Sequence, residues 1–328
     1  MIVPTVVGGP RIRELLESLS DPPADVEVLV VDNNSADPEI GDLGESFKGV
    51  RVIHLDSNAG YSRAVNLAAR EAAGDAIVLL NDDCVCDPGY VRAIVGALDP
   101  TSGVTMAAGV MREARDASRI DTAGMQLDGT LLVFDYLNGE PLARLDHPVQ
   151  DPIGPSGAAA AFDRNAFLAV GGFDERLFAY WEDVDLVLRM RLLGQHCALA
   201  PDARGTHAHS ATLGSGSVSK NYLMGFGRGY VLRKWGVLRS PTRLARVLAV
   251  EAALCLGQAA VDHSLSGISG RVRGLRTARR QAPYPASALI GQAEADGALR
   301  TLRRRAWRRA RLRGIRRHRE SSPPRRAP

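Results

Sequence analysis

The sequence predicts an α/β fold built on a doubly wound parallel sheet and followed by a helical extension. Short apolar-rich runs at residues 26–31, 50–55 and 76–80 read as buried parallel strands. Segments with helical spacing alternate with them: Ile12, Leu15, Leu16 and Leu19 within residues 11–19, and an alanine-rich stretch at 62–73. The strands stop at polar residues, with Thr5 after Ile2-Val3-Pro4, Asp32 after the second run and Asn81-Asp82-Asp83 after the last. Alternating strands and helices imply parallel βαβ units, and such sheets bind ligands beyond the carboxyl ends of their strands. Thr5, Asp32 and Asp83 are therefore expected around one crevice.

Residues 104–150 lack clear periodicity and are expected to form antiparallel strands and loops. Residues 154–161 are small and flexible, and a short helix is expected at 164–170. A second helix spans 181–193, with Gly194 as its stop. Gly214-Ser215-Gly216-Ser217 reads as a mobile loop, and residues 220–235 as a helix. Residues 244–265 form a helix that is apolar most of the way round. Arg246, Glu251, Gln258, Asp262 and His263 interrupt it, which argues against a membrane span. Residues 300–319 suggest a basic, weakly amphipathic helix, and 321–328 a disordered tail.

With 45% apolar and 24% charged residues, the 328-residue chain has the composition of a globular protein. Its net charge of +4 conceals an asymmetry. From Arg271 onward there are 18 arginines against Glu294, Asp296 and Glu320, so 18 − 3 = +15, and residues 1–270 carry 4 − 15 = −11. An acidic body with a basic end points to an anionic second partner, a lipid headgroup or nucleic acid. Cys84, Cys86, Cys197 and Cys255 make neither a disulfide framework nor a zinc motif, which fits a reducing, cytoplasmic compartment. No secretory leader is expected, since the chain runs directly into Ile2-Val3.

Three clusters could carry chemistry. Asp32 opens Asp32-Asn33-Asn34-Ser35 at a strand end, where a carboxylate can accept hydrogen bonds from a base or ribose; the Asn/Ser run also makes ordinary turn chemistry. Two adjacent carboxylates at Asp82 and Asp83 are costly unless paired or bound to a cation, and Mg²⁺ or Mn²⁺ favours carboxylates plus phosphate oxygens. Trp181-Glu182-Asp183-Val184-Asp185 sets acids at a helix start, where the macrodipole favours them, beside an indole suited to a sugar face. His207 or His209 could complete a metal site, and spacing does not choose between them. Gly8-Gly9 is no dinucleotide fingerprint.

In order along the chain, Val3-Pro4-Thr5, Val30-Val31-Asp32-Asn33-Asn34-Ser35, Asn58-Ala59-Gly60 with Asn66, Leu80-Asn81-Asp82-Asp83, Gly171-Gly172-Phe173-Asp174-Glu175, Trp181-Glu182-Asp183-Val184-Asp185 and His207 resemble the family 2 glycosyltransferases. The branch they resemble contains rhamnosyltransferases and galactofuranosyltransferases, over roughly residues 2–235. Val7 departs from the polar residue that commonly follows the Pro-Thr pair.

The resemblance implies an inverting enzyme with a GT-A nucleotide-diphospho-sugar transferase fold: a Rossmann-like mixed sheet flanked by helices, with a C-terminal helical extension. It implies a catalytic domain over 1–235; composition alone adds the expectation of a basic helical extension over 236–320 that attaches to a membrane surface and a disordered tail over 321–328. Thr5, Asp32, Asn34, Asn58, Gly60, Arg63, Asn81 and Asp82 would surround the nucleotide-sugar. Asp83 and His207 would hold Mn²⁺ or Mg²⁺. Asp183 would be the general base, with Glu182 beside it, and Gly157, Asp174 and Trp181 would line the acceptor and sugar side. The donor would be of the dTDP-rhamnose or UDP-hexose/galactofuranose type, and the acceptor a cell-surface glycan or lipid-linked saccharide.

Two other readings compete. A sugar-nucleotide pyrophosphorylase would need a Gly-rich, basic first loop, which is missing here. A nucleic-acid-binding or membrane-surface adaptor protein could use the arginines alone, but no helix-turn-helix, zinc or RNA-stacking signature accompanies them. The basic end beside an apolar helix favours a peripheral site on an anionic membrane.

Overall fold

The computed structural model describes residues 1–19, 26–208, 216–239 and 241–278. Its first strands are β1 (Ile2–Thr5), β2 (Val28–Asp32), β3 (Val50–His54) and β4 (Ala76–Leu80), followed by β5 (Cys84–Cys86), β6 (Val104–Glu113) and β7 (Asp116–Thr122). Next come β8 (Met125–Leu127), β9 (Val133–Asp135), β10 (Ala159–Asp163) and β11 (His196–His207). The main sheet has the order β3-β2-β1-β4-β10-β6-β11-β5, with β7 paired to β6, while β8 and β9 form a separate ribbon.

Only β3, β2, β1 and β4 make the all-parallel array expected from the alternation. β10 enters antiparallel between β4 and β6, and β11 runs parallel to β6 but antiparallel to β5. The sheet is therefore mixed. Its second half is built from long-range pairings that leave no local period in the sequence.

The helices are α1 (Pro10–Ser18), α2 (Leu43–Ser46), α3 (Tyr61–Glu71), α4 (Tyr90–Gly96), α5 (Arg164–Ala169) and α6 (Glu182–Leu192), then α7 (Val218–Lys234), α8 (Pro241–Asp262) and α9 (Ser266–Ala278). Alternate strand residues serve opposite faces. Ile2, Leu29, Val31 and Leu79 join one core with Val65, Phe167, Leu186 and Trp235, from α3, α5, α6 and the end of α7. Val3, Val30, Val78 and Leu80 join the other with Ile12, Leu15, Tyr90 and Ile94, from α1 and α4. Strand β5, helix α4 and the long β11 were not foreseen. The expected helix at 300–319, the tail at 321–328, His209, and Gly214 and Ser215 of the expected loop lie outside the described residues.

Helix α9 packs on α7 backbone to backbone. A Cβ on Gly270 would lie 2.1 Å from the Tyr222 carbonyl oxygen, and one on Gly274 2.0 Å from that of Phe226. Gly225 and Gly229 of α7 face Gly267 and Arg271 in the same way. Gly270→Ala is therefore expected to destabilise the fold by about 1–3 kcal/mol. Gly257→Ala, at a position with nothing near its Cβ, should stabilise it by about 0.5–1 kcal/mol. Thermal melts of the two variants should shift in opposite directions; a common shift would rule out close packing as the cause.

Candidate active site

The carboxyl ends of β1, β2, β4 and β11 meet the start of α6. In-register pairing sets Thr5 beside Asp32, and places His207 opposite Cys84, next to Asp83. Thr5, Asp32 and the Asp82-Asp83 pair thus lie at neighbouring strand ends.

At the nucleotide end, the buried Asp32 carboxylate closes an Asx turn by accepting from the Ser35 N–H at 2.8 Å, and it contacts His54 Nδ1 at 3.0 Å. Asn34 adopts φ 62°, which Asn tolerates better than most residues. Asn33 accepts from the Ala59 N–H and Asn58 from the Gly60 N–H, so the two motifs brace each other. Gly60 sits at φ 85°, where a Cβ would lie 2.5 Å from the Phe178 carbonyl oxygen, and only glycine allows that approach. Arg63 lies on the exposed side of α3. His54 carried no signal in the sequence beyond its place at a strand end.

The acidic triplet divides. Asp82 is buried and accepts from Thr5 Oγ1 at 2.5 Å. Burial, with Asp83 adding to it, raises the Asp82 pKa although the Thr5 hydrogen bond opposes the shift. Asp83 instead faces His207, with Oδ1 3.2 Å from Nε2, and Asn81 Nδ2 stands 3.5 Å from the same nitrogen. On the other side of the imidazole, Nδ1 is 3.0 Å from Asp121 Oδ2. Burial disfavours the imidazolium, but the hydrogen bonds and charges of Asp121 and Asp83 outweigh it and lift His207 to about 9. Asp121, near the end of β7, was missed because the segment around it has no period and its partner is 86 residues away.

Asp83, Cys84 and His207 bring their ligand atoms within 4.8 Å of one another. Burial pushes the Cys84 thiol pKa well up, and its Sγ points to the Ala158 carbonyl oxygen. A protonated thiol is no ligand for a hard cation. A carboxylate oxygen and an imidazole nitrogen, completed by substrate phosphate oxygens, fit a divalent cation of the Mn²⁺ or Mg²⁺ type, which would displace the proton that Asp83 and Asp121 otherwise hold on His207.

The second cluster opens α6. Tyr180 and Trp181 both lie at positive φ, 69° and 75°, a costly conformation for aromatic residues that is characteristic of functional sites. The turn presents Glu182 and Asp183 side by side. Asp183 Oδ1 accepts from the Val184 N–H at 2.8 Å and Oδ2 from the Gly157 N–H at 3.2 Å. Glu182 Oε2 and Trp181 Nε1 are buried without a protein partner, so both are available to a ligand.

Burial and the neighbouring Asp183 hold the Glu182 pKa well above the usual carboxylate range. Burial also raises that of Asp183, against the backbone N–H groups of Val184 and Gly157. With those two donors aimed at it, Asp183 is the better seat for the charge, and Glu182 for the proton. Tyr61 donates to the Gly157 carbonyl oxygen at 3.1 Å. Its hydroxyl pKa is raised first by burial and then by Glu182, Asp183, Cys84 and Asp82 together. Tyr180 is pushed to about 12 by burial, Glu182 and Asp83. Both acidic clusters thus act on the same two tyrosines across one cleft.

Asp174 is turned away from this chemistry. Its carboxylate accepts from Tyr230 at 2.7 Å and Lys234 at 2.8 Å, both on α7. Lys234 also bonds Asp185, which takes Arg189 and the Trp235 indole as further partners. Arg189 also donates to the Val170 and Gly172 carbonyl oxygens. The network bolts α6 to α7.

The model of the family described as "Glycosyl transferase family 2" matches residues 1–140. The chain is 32% identical over 237 residues to the N-acetylglucosaminyl-diphospho-decaprenol L-rhamnosyltransferase of Mycobacterium tuberculosis, covering 64% of this chain and 76% of that protein. It is 29% identical over 201 residues to the O-antigen biosynthesis protein RfbC of Myxococcus xanthus, covering 57% of this chain and 15% of that one.

Among solved structures, the mannosyltransferase PcManGT from Pyrobaculum calidifontis, in complex with GDP-Man and Mn²⁺, has a TM-score of 0.52 at 22% identity, over 90% of this chain and 78% of that one. GalNAc-T7 with UDP, GalNAc and Mn²⁺ has a TM-score of 0.58 at 14% identity, over 86% and 54%. These two likenesses concern the fold, which is the GT-A arrangement of a mixed sheet flanked by helices. Sequence match, sheet order and the acidic motifs at the strand ends converge: the chain belongs to glycosyltransferase family 2 and is a glycosyltransferase.

Proposed function

We propose that the enzyme moves a sugar, with inversion, from a nucleotide-diphosphate donor of the dTDP-rhamnose or UDP-hexose/galactofuranose type to a lipid-linked or cell-surface saccharide. The observation that carries this reading is that the Gly157-Ala158 segment joins the two clusters: the Gly157 N–H donates to Asp183, and the Ala158 carbonyl oxygen receives Cys84, the neighbour of the Asp83–His207 pair. The relative from Mycobacterium tuberculosis is named for a diphospho-decaprenol acceptor, which supports the lipid-linked class.

Asp183 takes the proton from the acceptor hydroxyl as its oxygen attacks the anomeric carbon. The new C–O bond forms as the bond to the diphosphate breaks on the opposite face, and the nucleoside diphosphate leaves with the electron pair. A divalent cation held by Asp83 and His207 would neutralise charge on the departing diphosphate. Asp82, fixed by Thr5, holds the end of β1 against the triplet; Asp32, Asn34 and Asn58 shape the nucleotide end. Trp181 Nε1 and protonated Glu182 offer hydrogen bonds to sugar hydroxyls. Asp174 we reassign from the acceptor side to the α6–α7 brace.

The test is transfer from a panel of nucleotide-sugars with Mn²⁺ or Mg²⁺ to a polyprenyl-diphospho-N-acetylglucosamine acceptor, with the product's anomeric configuration read by NMR. Inversion supports the proposal; retention refutes direct displacement.

Asp121 is proposed to fix the imidazole so that Nε2 faces Asp83. Asp121→Asn is expected to weaken Mn²⁺ binding about 10–100-fold by calorimetry. An unchanged affinity would show that the ring needs no such support.

A further inference from the structure

Helix α8 leaves most of its apolar surface exposed. Its residues 243–262 have a mean hydropathy of 1.6, apolar enough for a bilayer, yet only 11% of that window is buried. The face turned to the protein buries Val247 and Val250 near its start and carries polar groups further along. Glu251 takes Arg228 at 2.7 Å and Arg271 at 2.6 Å, and Gln258 and Asp262 bond Asn221 of α7. The face turned outward is apolar: Leu248 is 59% exposed and Leu256 71%, with Ala245, Ala249, Ala252 and Ala260 exposed on the same stripe. Exposed Arg239 and Arg246 mark its N-terminal end. Of the 18 arginines from Arg271 onward, all but Arg271, Arg273 and Arg276 follow α9 in the sequence.

We propose that this stripe of α8 is a docking surface for an anionic phospholipid bilayer, lying in the plane of the headgroups with Arg239 and Arg246 on lipid phosphates. The inference deepens the lipid-linked acceptor reading and rests on it for its purpose, though not for its geometry. A leaflet matches both features of the face, a smooth alanine and leucine stripe and a one-signed basic end. A second copy matches them less well. The same stripe on a second copy carries no exposed acid to meet Arg239 and Arg246. Spanning is disfavoured because Glu251, Gln258 and Asp262 are committed to partners on α7 and α9.

The docking helix is also wired to the catalytic helix. Arg228, which Glu251 holds, donates to the Leu131 and Thr130 carbonyl oxygens and lies over the Trp181 ring at 5.4 Å. Membrane contact through α8 would therefore set the height of the cleft above the lipid surface.

The test is flotation of the full chain with vesicles of phosphatidylcholine alone or with 30% phosphatidylglycerol, in parallel with Leu248→Glu/Leu256→Glu. Wild type should float with the anionic vesicles, at least fivefold less with neutral ones, and the variant at least tenfold less than wild type. The variant should keep its melting curve and its transfer to a water-soluble acceptor, so that failure of docking and failure of the transferase reading are told apart. Three results would each overturn the proposal: undiminished flotation of the variant; a wild-type dimer in light scattering, lost in the variant, without vesicle binding; or wild type that resists alkaline carbonate extraction, as a spanning protein does.

Discussion

Asp183→Asn should lower transfer by about 10²–10⁴-fold, the usual contribution of a general base, while the affinity for the nucleoside diphosphate stays within about threefold. The amide keeps the size of the side chain and one of its two hydrogen-bond acceptors but cannot take the acceptor proton. The pH profile of the wild type adds a second check. Burial raises the Asp183 pKa, so the acid limb of the rate should lie above the ordinary aspartate range, with activity falling as pH falls through it.

The stability sign runs the other way. A folded-state value above the unfolded one means that the fold favours the protonated carboxyl. Its stabilisation is present below the unfolded value and lost as pH rises through the folded one. Asp183→Asn should therefore melt no lower than wild type at neutral pH, whereas a purely structural aspartate would lose stability on the same change. Activity here opposes stability.

The second large effect is structural. Asp185 is fully buried and receives Arg189, Lys234 and the Trp235 indole. Asp185→Ala removes their shared acceptor and leaves buried donors without it. Breaking such a network costs about 3–5 kcal/mol, and the melting temperature should drop by roughly 5–15 °C. Asp202→Ala, on an exposed carboxylate 4.0 Å from Arg204, should change little. A drop of only a degree or two for Asp185→Ala would mean that the α6–α7 brace contributes little to the fold.

These two neighbours show what the sequence could and could not convey. Asp183 and Asp185 stand two positions apart in one acidic helix start, and local pattern treats them alike. Helical geometry turns one to the cleft and the other to α7. The strands β2 and β4 and the carboxylates at their ends were legible because a parallel, doubly covered sheet writes uninterrupted apolar runs. Asp121, His54 and Arg228 were not. Each acquires its role from a partner 22 to 98 residues away, and no spacing rule connects them. The bonds of Asp174 were hidden for the same reason, since its partners Tyr230 and Lys234 arrive from α7, 56 and 60 positions on. In α8 the composition registered the polar residues correctly as interruptions of an apolar helix, but which side they face depends on α7 and α9.

The central claim is a division of labour between two acidic clusters, and calorimetry of a nucleoside diphosphate with and without Mn²⁺, on wild type, Asp83→Asn and Asp183→Asn, tests it most directly. Wild type and Asp183→Asn should show the same Mn²⁺-dependent gain in affinity, and Asp83→Asn should lose it. An undiminished gain in Asp83→Asn, or its loss in Asp183→Asn, would contradict the account.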